Sequence, residues 1–143
     1  MTLSDHKKKW EAIKKHVNSS AYYQLLGFEA VELAQGYARL RMPASKKLLQ
    51  FQGAVHGGAV YSMADAAVAV ALVTTCNPGE QVLTIEGKIN YLAPVSEGEE
   101  IWAEARLVQR GRQISVGDVE VKGHEGRLVA KGLITYMVVR RQQ

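Results

Sequence analysis

A chain of 143 residues, 47% hydrophobic and 22% charged, has the composition of a globular protein and the length for one core, so a single domain over 1–143 is expected. The formal charge of +4 is compatible with a polyanionic ligand and equally with solvated surface lysines; the basic residues are dispersed, without a finger, ribonucleoprotein aromatics or a basic arm, which sets nucleic-acid binding aside. Cys76 is the only cysteine, which excludes an intramolecular disulfide and a multi-thiolate metal site, and with no signal-like leader and no long apolar run the expectation is a cytoplasmic protein that does not enter a membrane.

In chain order, Ser4 or Asp5 is placed to cap a first helix in which Trp10, Ile13 and Val17 share one face, with the lysines largely on the other. A run through Phe28, Ala30 and Glu32 meets Gly36, after which Tyr37, Arg39 and Arg41 alternate with Ala38, Leu40 and Met42. This is the pattern of a hairpin of half-buried strands, ended by Pro43. An irregular stretch from Lys46 to Val55 leads into a helix over 57–75 that is apolar almost all round and must be covered by protein on most sides. Asn77-Pro78-Gly79 stops it. Four strands follow, at 82–92, 100–109, 113–121 and 128–139, with His124-Glu125-Gly126 as the last tight turn. Consecutive strands with short connections usually pair. The expected fold is therefore α+β, a curled antiparallel sheet wrapped around one long helix, with an N-terminal helix added.

Asp65 stands inside the most apolar helix, where an ionised carboxylate costs several kcal/mol, about, unless compensated. At 100° per residue Gly58, Tyr61, Ser62, Asp65 and Ala69 fall on one stripe, so nearly all the polar groups of the helix share a face with small residues, as in a ligand wall. An aspartate that is simply exposed, or one hydrogen-bonded to Ser62, explains the spacing equally well. His56-Gly57-Gly58 at the helix start tips the balance: free N–H groups at the positive end of a helix can stabilise an oxyanion, and glycine lets a ligand approach.

The stretch from Gln50 to Asp65, QFQGAVHGGAVYSMAD, resembles the signature of the hotdog-fold acyl-CoA thioesterases of the phenylacetate-pathway (PaaI-like) family, and Asn90-Tyr91-Leu92-Ala93-Pro94 resembles its next signature strand. The resemblance in element order covers nearly the whole chain. It implies hydrolysis of an acyl or aryl-acyl coenzyme A thioester without metal or redox cofactor. Gly57 would offer its N–H to the thioester carbonyl, Asp65 would be base or nucleophile, and His56 would support the loop. Many relatives carry asparagine at the position of Gln50 and serine at that of Thr84; Thr84 keeps the hydroxyl, and Gln50 keeps the amide one methylene further out. Gly58, Tyr61 and Ser62 are candidates to line the substrate site, and Arg110 and Arg112 in a strand turn to meet coenzyme A phosphates.

Helix geometry adds a constraint. Gly57 and Asp65 are eight residues apart, about 12 Å along a helix axis, which an aspartate side chain cannot bridge. If one thioester carbon must meet both groups, they belong to different subunits across a two-fold axis, and the protein is a homodimer with two composite sites. A tetramer of two dimers is a further level that the resemblance leaves open. A hotdog hydratase and a non-catalytic acyl-CoA-binding protein are the competing readings; no histidine closely follows the helical aspartate to serve the first, and a buried anion has little use in the second.

Overall fold

The computed structural model describes residues 2–141. Helix α1 (Leu3–Asn18) is followed by a short α2 (Ala21–Leu26), the strands β1 (Glu29–Ala34) and β2 (Tyr37–Pro43), the long helix α3 (Gly57–Val73), and the strands β3 (Glu80–Tyr91), β4 (Glu100–Arg110), β5 (Ile114–Lys122) and β6 (Leu128–Arg140). The six strands form one antiparallel sheet in the order β1-β2-β4-β5-β6-β3. α3 lies in its concave side, as expected from its composition.

The core is the seam between them. Val60, Met63, Ala64, Ala67, Val68, Ala71 and Leu72 of α3 are buried against Leu40, Met42, Ile101, Ala103, Val119 and Ile134 of the sheet, and the valine, leucine, isoleucine and methionine side chains among them contribute about 1.5–3 kcal/mol each. Small residues set the separation of the layers. A Cβ on Gly117 of β5 would lie 2.4 Å from Cγ1 of Val68, so glycine there lets the helix seat against the strand.

Three expectations are corrected. α1 is capped by Thr2, not by Ser4 or Asp5: Thr2 Oγ1 accepts from the Asp5 N–H while the Asp5 carboxylate accepts from the Thr2 N–H, a capping box. α2 is an element where no separate helix was expected. Of the four later strands β4, β5 and β6 pair in sequence, but β3 does not pair with β4: β4 inserts beside β2, and β3 pairs only with β6, at the far end of the sheet. β3 thus has an open edge twelve residues long, with Leu83, Ile85, Tyr91 and Leu92 exposed on or just beyond it.

α1 packs along β1, and Trp10, Ile13 and Val17 of its predicted apolar face lie against the core. The Lys9 ammonium donates to the Thr74 carbonyl at 3.1 Å, a cation at the negative end of the α3 dipole. Among the described residues no helix is long and apolar enough to cross a membrane, and no group of three or more His, Cys, Asp or Glu side chains is placed to hold a metal ion.

Candidate active site

The start of α3 is capped by His56, whose backbone is extended (φ −60°, ψ 136°) and whose Nδ1 accepts from the Gly58 N–H at 2.8 Å. That bond makes Nδ1 an acceptor and leaves the ring proton for Nε2. The Ala59 and Val60 N–H groups both reach the His56 carbonyl, at 3.0 and 3.4 Å. Of the first four N–H groups of the helix, three are therefore used inside the chain. The fourth, on Gly57, has no partner among the described residues, which leaves a single donor at the positive end of the dipole.

Tyr91 holds this glycine in place: its hydroxyl donates to the Gly57 carbonyl at 2.9 Å, and a Cβ on Gly57 would stand 3.1 Å from Cζ of the ring. A cleft of about 330 Å³ opens here, bounded by Gln50, Val55, Gly57, Tyr91 and Pro94. The Gln50 side-chain oxygen accepts from the Gln52 N–H within its own tight loop, so the amide nitrogen is the end left for the cleft. Beside it, Phe51 projects from the loop tip, 97% exposed.

Asp65 lies one helical stretch further on, in the open stripe. Every residue of α3 from Ala59 to Leu72 is buried except Tyr61, Ser62, Asp65 and Ala69, so the stripe drawn from the sequence is the one the sheet leaves uncovered. Two hydroxyls converge on the carboxylate. Tyr136 stands 2.6 Å from Oδ1, and Thr84 3.0 Å from Oδ1 and 3.2 Å from Oδ2. Thr84 and Tyr136 are a directly opposed pair in the β3–β6 ladder, so both side chains leave the sheet toward α3 at the same level. The ladder is interrupted just beyond, between Thr84 and Glu86, by a bulge at Ile85.

Tyr136 was not singled out in the sequence, although the signal was there. It alternates inward with Ile134 and Val138 in a strand of otherwise aliphatic buried residues, and a buried phenol needs a partner. Its burial, followed by its hydrogen bond to Asp65, pushes the phenol above its ordinary titration range, so it remains a donor. Tyr23 is pushed up to about 12 by burial and by the Asp65 charge. Tyr61 is raised by the same two causes in the same order, with a contribution from Glu86. The Tyr61 hydroxyl sits over Gly87 of β3, where a Cβ would be 2.0 Å from it; glycine is what allows the ring to lie against that strand.

A second cleft of about 330 Å³ holds Asp65, between Tyr22, Tyr23, Phe28, Ser62, Ala69 and Tyr136. It shares no lining residue with the cleft at Gly57. The chain thus gathers Gln50, His56, Gly57 and Gly58 in one place and Ser62, Asp65 and Thr84 in another. Arg110 and Arg112 are in neither. The Arg110 guanidinium braces the C-terminal end of α3, donating to Thr75 Oγ1 at 2.8 Å and lying 3.7 Å from Glu80; Arg112 is exposed at the turn. The Cys76 thiol beside Arg110 is pushed up by burial, the state of an unreactive structural thiol. A larger concavity, about 750 Å³, lies on the outer face of the sheet around Trp102, Glu104 and Lys122, remote from all of these residues.

The family model of the thioesterase superfamily matches residues 52–130, more than half of the chain and both clefts' α3 residues. Acyl-coenzyme A thioesterase PaaI of Escherichia coli is 27% identical over 86% of this chain and 86% of its own length. Its structure superposes with a TM-score of 0.85 at 24% identity over 96% of either chain, which speaks for the fold. A conserved protein of Pseudomonas aeruginosa is 36% identical, with a TM-score of 0.79 over 84% of this chain and 94% of that one. A Streptococcus mutans protein solved with acetyl CoA is 27% identical, with a TM-score of 0.74 over 81% and 91%. Curled sheet, central helix and sequence match agree, and the chain belongs to the thioesterase superfamily, with its hotdog fold.

Proposed function

We propose that the protein is an acyl-CoA thioesterase that works as a homodimer, each active site combining Asp65 and Thr84 of one subunit with Gln50, His56, Gly57 and Gly58 of the other. The observation that carries this reading is the pair of separate clefts: one presents an unused N–H donor, the other a hydroxyl-bound carboxylate, and neither is a complete site. The open edge of β3 and the uncovered stripe of α3 provide the surfaces through which a second copy would bring them together.

In the composite site the Gly57 N–H polarises the thioester carbonyl and then carries the charge of the tetrahedral intermediate. Asp65 takes a proton from water as the hydroxide adds to the carbonyl carbon; the C–S bond breaks, and the coenzyme A thiolate leaves and is protonated. The alternative is direct attack by an Asp65 oxygen, giving an anhydride that water then opens. His56 keeps the helix start in shape, and exposed Arg112 is a cation free to meet coenzyme A phosphates. Arg110 serves as a brace. Tyr61 lines the Asp65 cleft.

The test is thiol release from a panel of acyl-CoA thioesters by the native chain and by Asp65→Ala. The expected loss of turnover is about a hundredfold or more, with the dimer retained in solution. Turnover by the variant within a fewfold of the native rate overturns the role of Asp65. Mixing a Gly57→Pro chain with an Asp65→Ala chain regenerates one intact site per mixed dimer; no recovered activity after demonstrated subunit exchange refutes the composite site. A single turnover in heavy-oxygen water that puts label in Asp65 establishes an anhydride opened at the Asp65 carbon, whereas label in the released acid fits both water attack on the thioester and an anhydride opened at the acyl carbon.

A further inference from the structure

The wall of the Asp65 cleft opposite α3 is supplied by Tyr22 and Tyr23 of α2 and by Phe28 just beyond it. This segment is held in position from two sides. Asn18, at the end of α1, exchanges hydrogen bonds with the Ala30 backbone, 2.7 Å to its N–H and 3.0 Å to its carbonyl. Gly27 ends α2 in the left-handed region (φ 85°), and the Gly27 and Phe28 N–H groups both turn back to the Tyr23 carbonyl. The reversal stacks Phe28 edge-on against Tyr23, with ring centroids 4.4 Å apart, and both rings face the cleft.

Tyr22 is held differently. It is 51% exposed, yet its hydroxyl crosses the open stripe of α3 to meet Ser62 Oγ at 2.7 Å. Ser62 lies one turn before Ala66 and two before Ala69, the small residues that leave room beside Asp65. Along α3 the stretch from Ser62 to Ala69 is about 10 Å. A half-exposed ring held by one hydrogen bond therefore spans the cleft at the end away from Ala69.

We infer that Tyr22, latched to Ser62, is the residue that limits the size of the acyl group: it closes the Asp65 cleft and restricts substrates to compact acyl groups, flat or short-chained, that lie between Ser62 and Ala69. This rests on the thioesterase reading above and adds to it a specificity determinant outside the catalytic groups. The closure is built from a ring and one hydroxyl pair. Shortening the ring opens the cleft to solvent and gives a longer chain a way out, whereas removing only the hydroxyl loosens the closure without deleting it.

The experiment is steady-state thiol release from hexanoyl-, phenylacetyl- and palmitoyl-CoA by the native protein, Tyr22→Ala, Tyr22→Phe and Ser62→Ala. The readout is the ratio of kcat/KM for palmitoyl over hexanoyl. Discrimination of pocket size commonly amounts to about tenfold or more for even small changes in a hydrophobic wall, so Tyr22→Ala is expected to raise this ratio by at least about tenfold. Tyr22→Phe and Ser62→Ala, which break the same bond from either end, are expected to raise it by a smaller and mutually equal factor. Thiol release with a ratio that stays within twofold in all three variants overturns the assignment of Tyr22 while the thioesterase reading stands. No thiol release from any member by the native protein overturns that reading, and the assignment with it.

Discussion

Replacing Tyr136 with phenylalanine removes one oxygen atom from the wall behind Asp65 and leaves the ring in place. Tyr136 is 3% exposed, and its hydroxyl lies 2.6 Å from Asp65 Oδ1 and 2.9 Å from the Asp65 carbonyl. One proton serves one acceptor at a time, and the shorter distance marks the carboxylate as the acceptor. A hydrogen bond to a charged group contributes about 1.5–3 kcal/mol. Thr84 remains as a second donor and phenylalanine conserves the volume, so the lower end applies, about 1.5 kcal/mol. For a chain of 143 residues that is a fall in Tm of about 5 °C. The effect on catalysis should be larger in proportion, because a carboxylate fixed by one hydroxyl instead of two spends less time aimed at the reacting carbon. We expect kcat to fall about tenfold or more and KM to change less. Thermal unfolding and steady-state thiol release on the same preparation decide the matter. A native kcat accompanying the 5 °C loss would show that Tyr136 only packs, and would refute its place in orienting Asp65.

Three further outcomes follow from the geometry. His56→Ala removes the N-cap acceptor of α3 and is expected to cost about 1 kcal/mol in urea unfolding, whereas His56→Asn, which can still accept from the helix start, recovers most of it; equal losses would contradict the capping role. Gly117→Ala places a Cβ 2.4 Å from Val68 Cγ1 and should destabilise by about 1–3 kcal/mol through overpacking, with an unchanged urea midpoint as the refuting result. At high pH the buried phenols oppose ionisation: Tyr23 is pushed up to about 12 by burial and the Asp65 charge, and Tyr136 is raised by burial. An unfolded tyrosine ionises near pH 10, about, so the unfolded chain releases its protons first and stability falls as pH rises from about 10 upward. Tyr23→Phe should make that fall shallower, and a slope identical to the native one would contradict the assignment.

Much of this molecule was legible from residue pattern alone, for identifiable reasons. The alternation in 37–43 and in 128–139 gave strands that the structure extends or trims by a residue or so, because one face of each is buried and the other wet. The stripe of Tyr61, Ser62, Asp65 and Ala69 was readable because all other positions in the middle of α3 are apolar. What was missed lay where pattern is silent. α2 has six residues, AYYQLL, too few for a period to show and rich in aromatics that suit strands equally well. The pairing of β3 with β6 depends on a chain reversal between Leu92 and Glu99, whose anchor is the Val129 carbonyl accepting from the Leu92 and Ala93 N–H groups, a long-range contact that no local rule anticipates. Thr84 was found through resemblance to a family, and its partner Tyr136 was not found, because their meeting at Asp65 is a property of the ladder that sets them opposite each other.

On the proposed mechanism that ladder makes the alignment of two strands a condition for the chemistry. A slip of β3 by a single residue along β6 would turn Thr84 to the outer face and bring Leu83 or Ile85 against the carboxylate. Asp65 would then keep its place on α3 while losing one of its two donors. The bulge at Ile85 is the irregularity that pins the alignment. A one-residue slip of β3 would therefore silence the enzyme while every group that touches substrate is still encoded, and a lesion of this kind would be invisible to any search for missing catalytic residues.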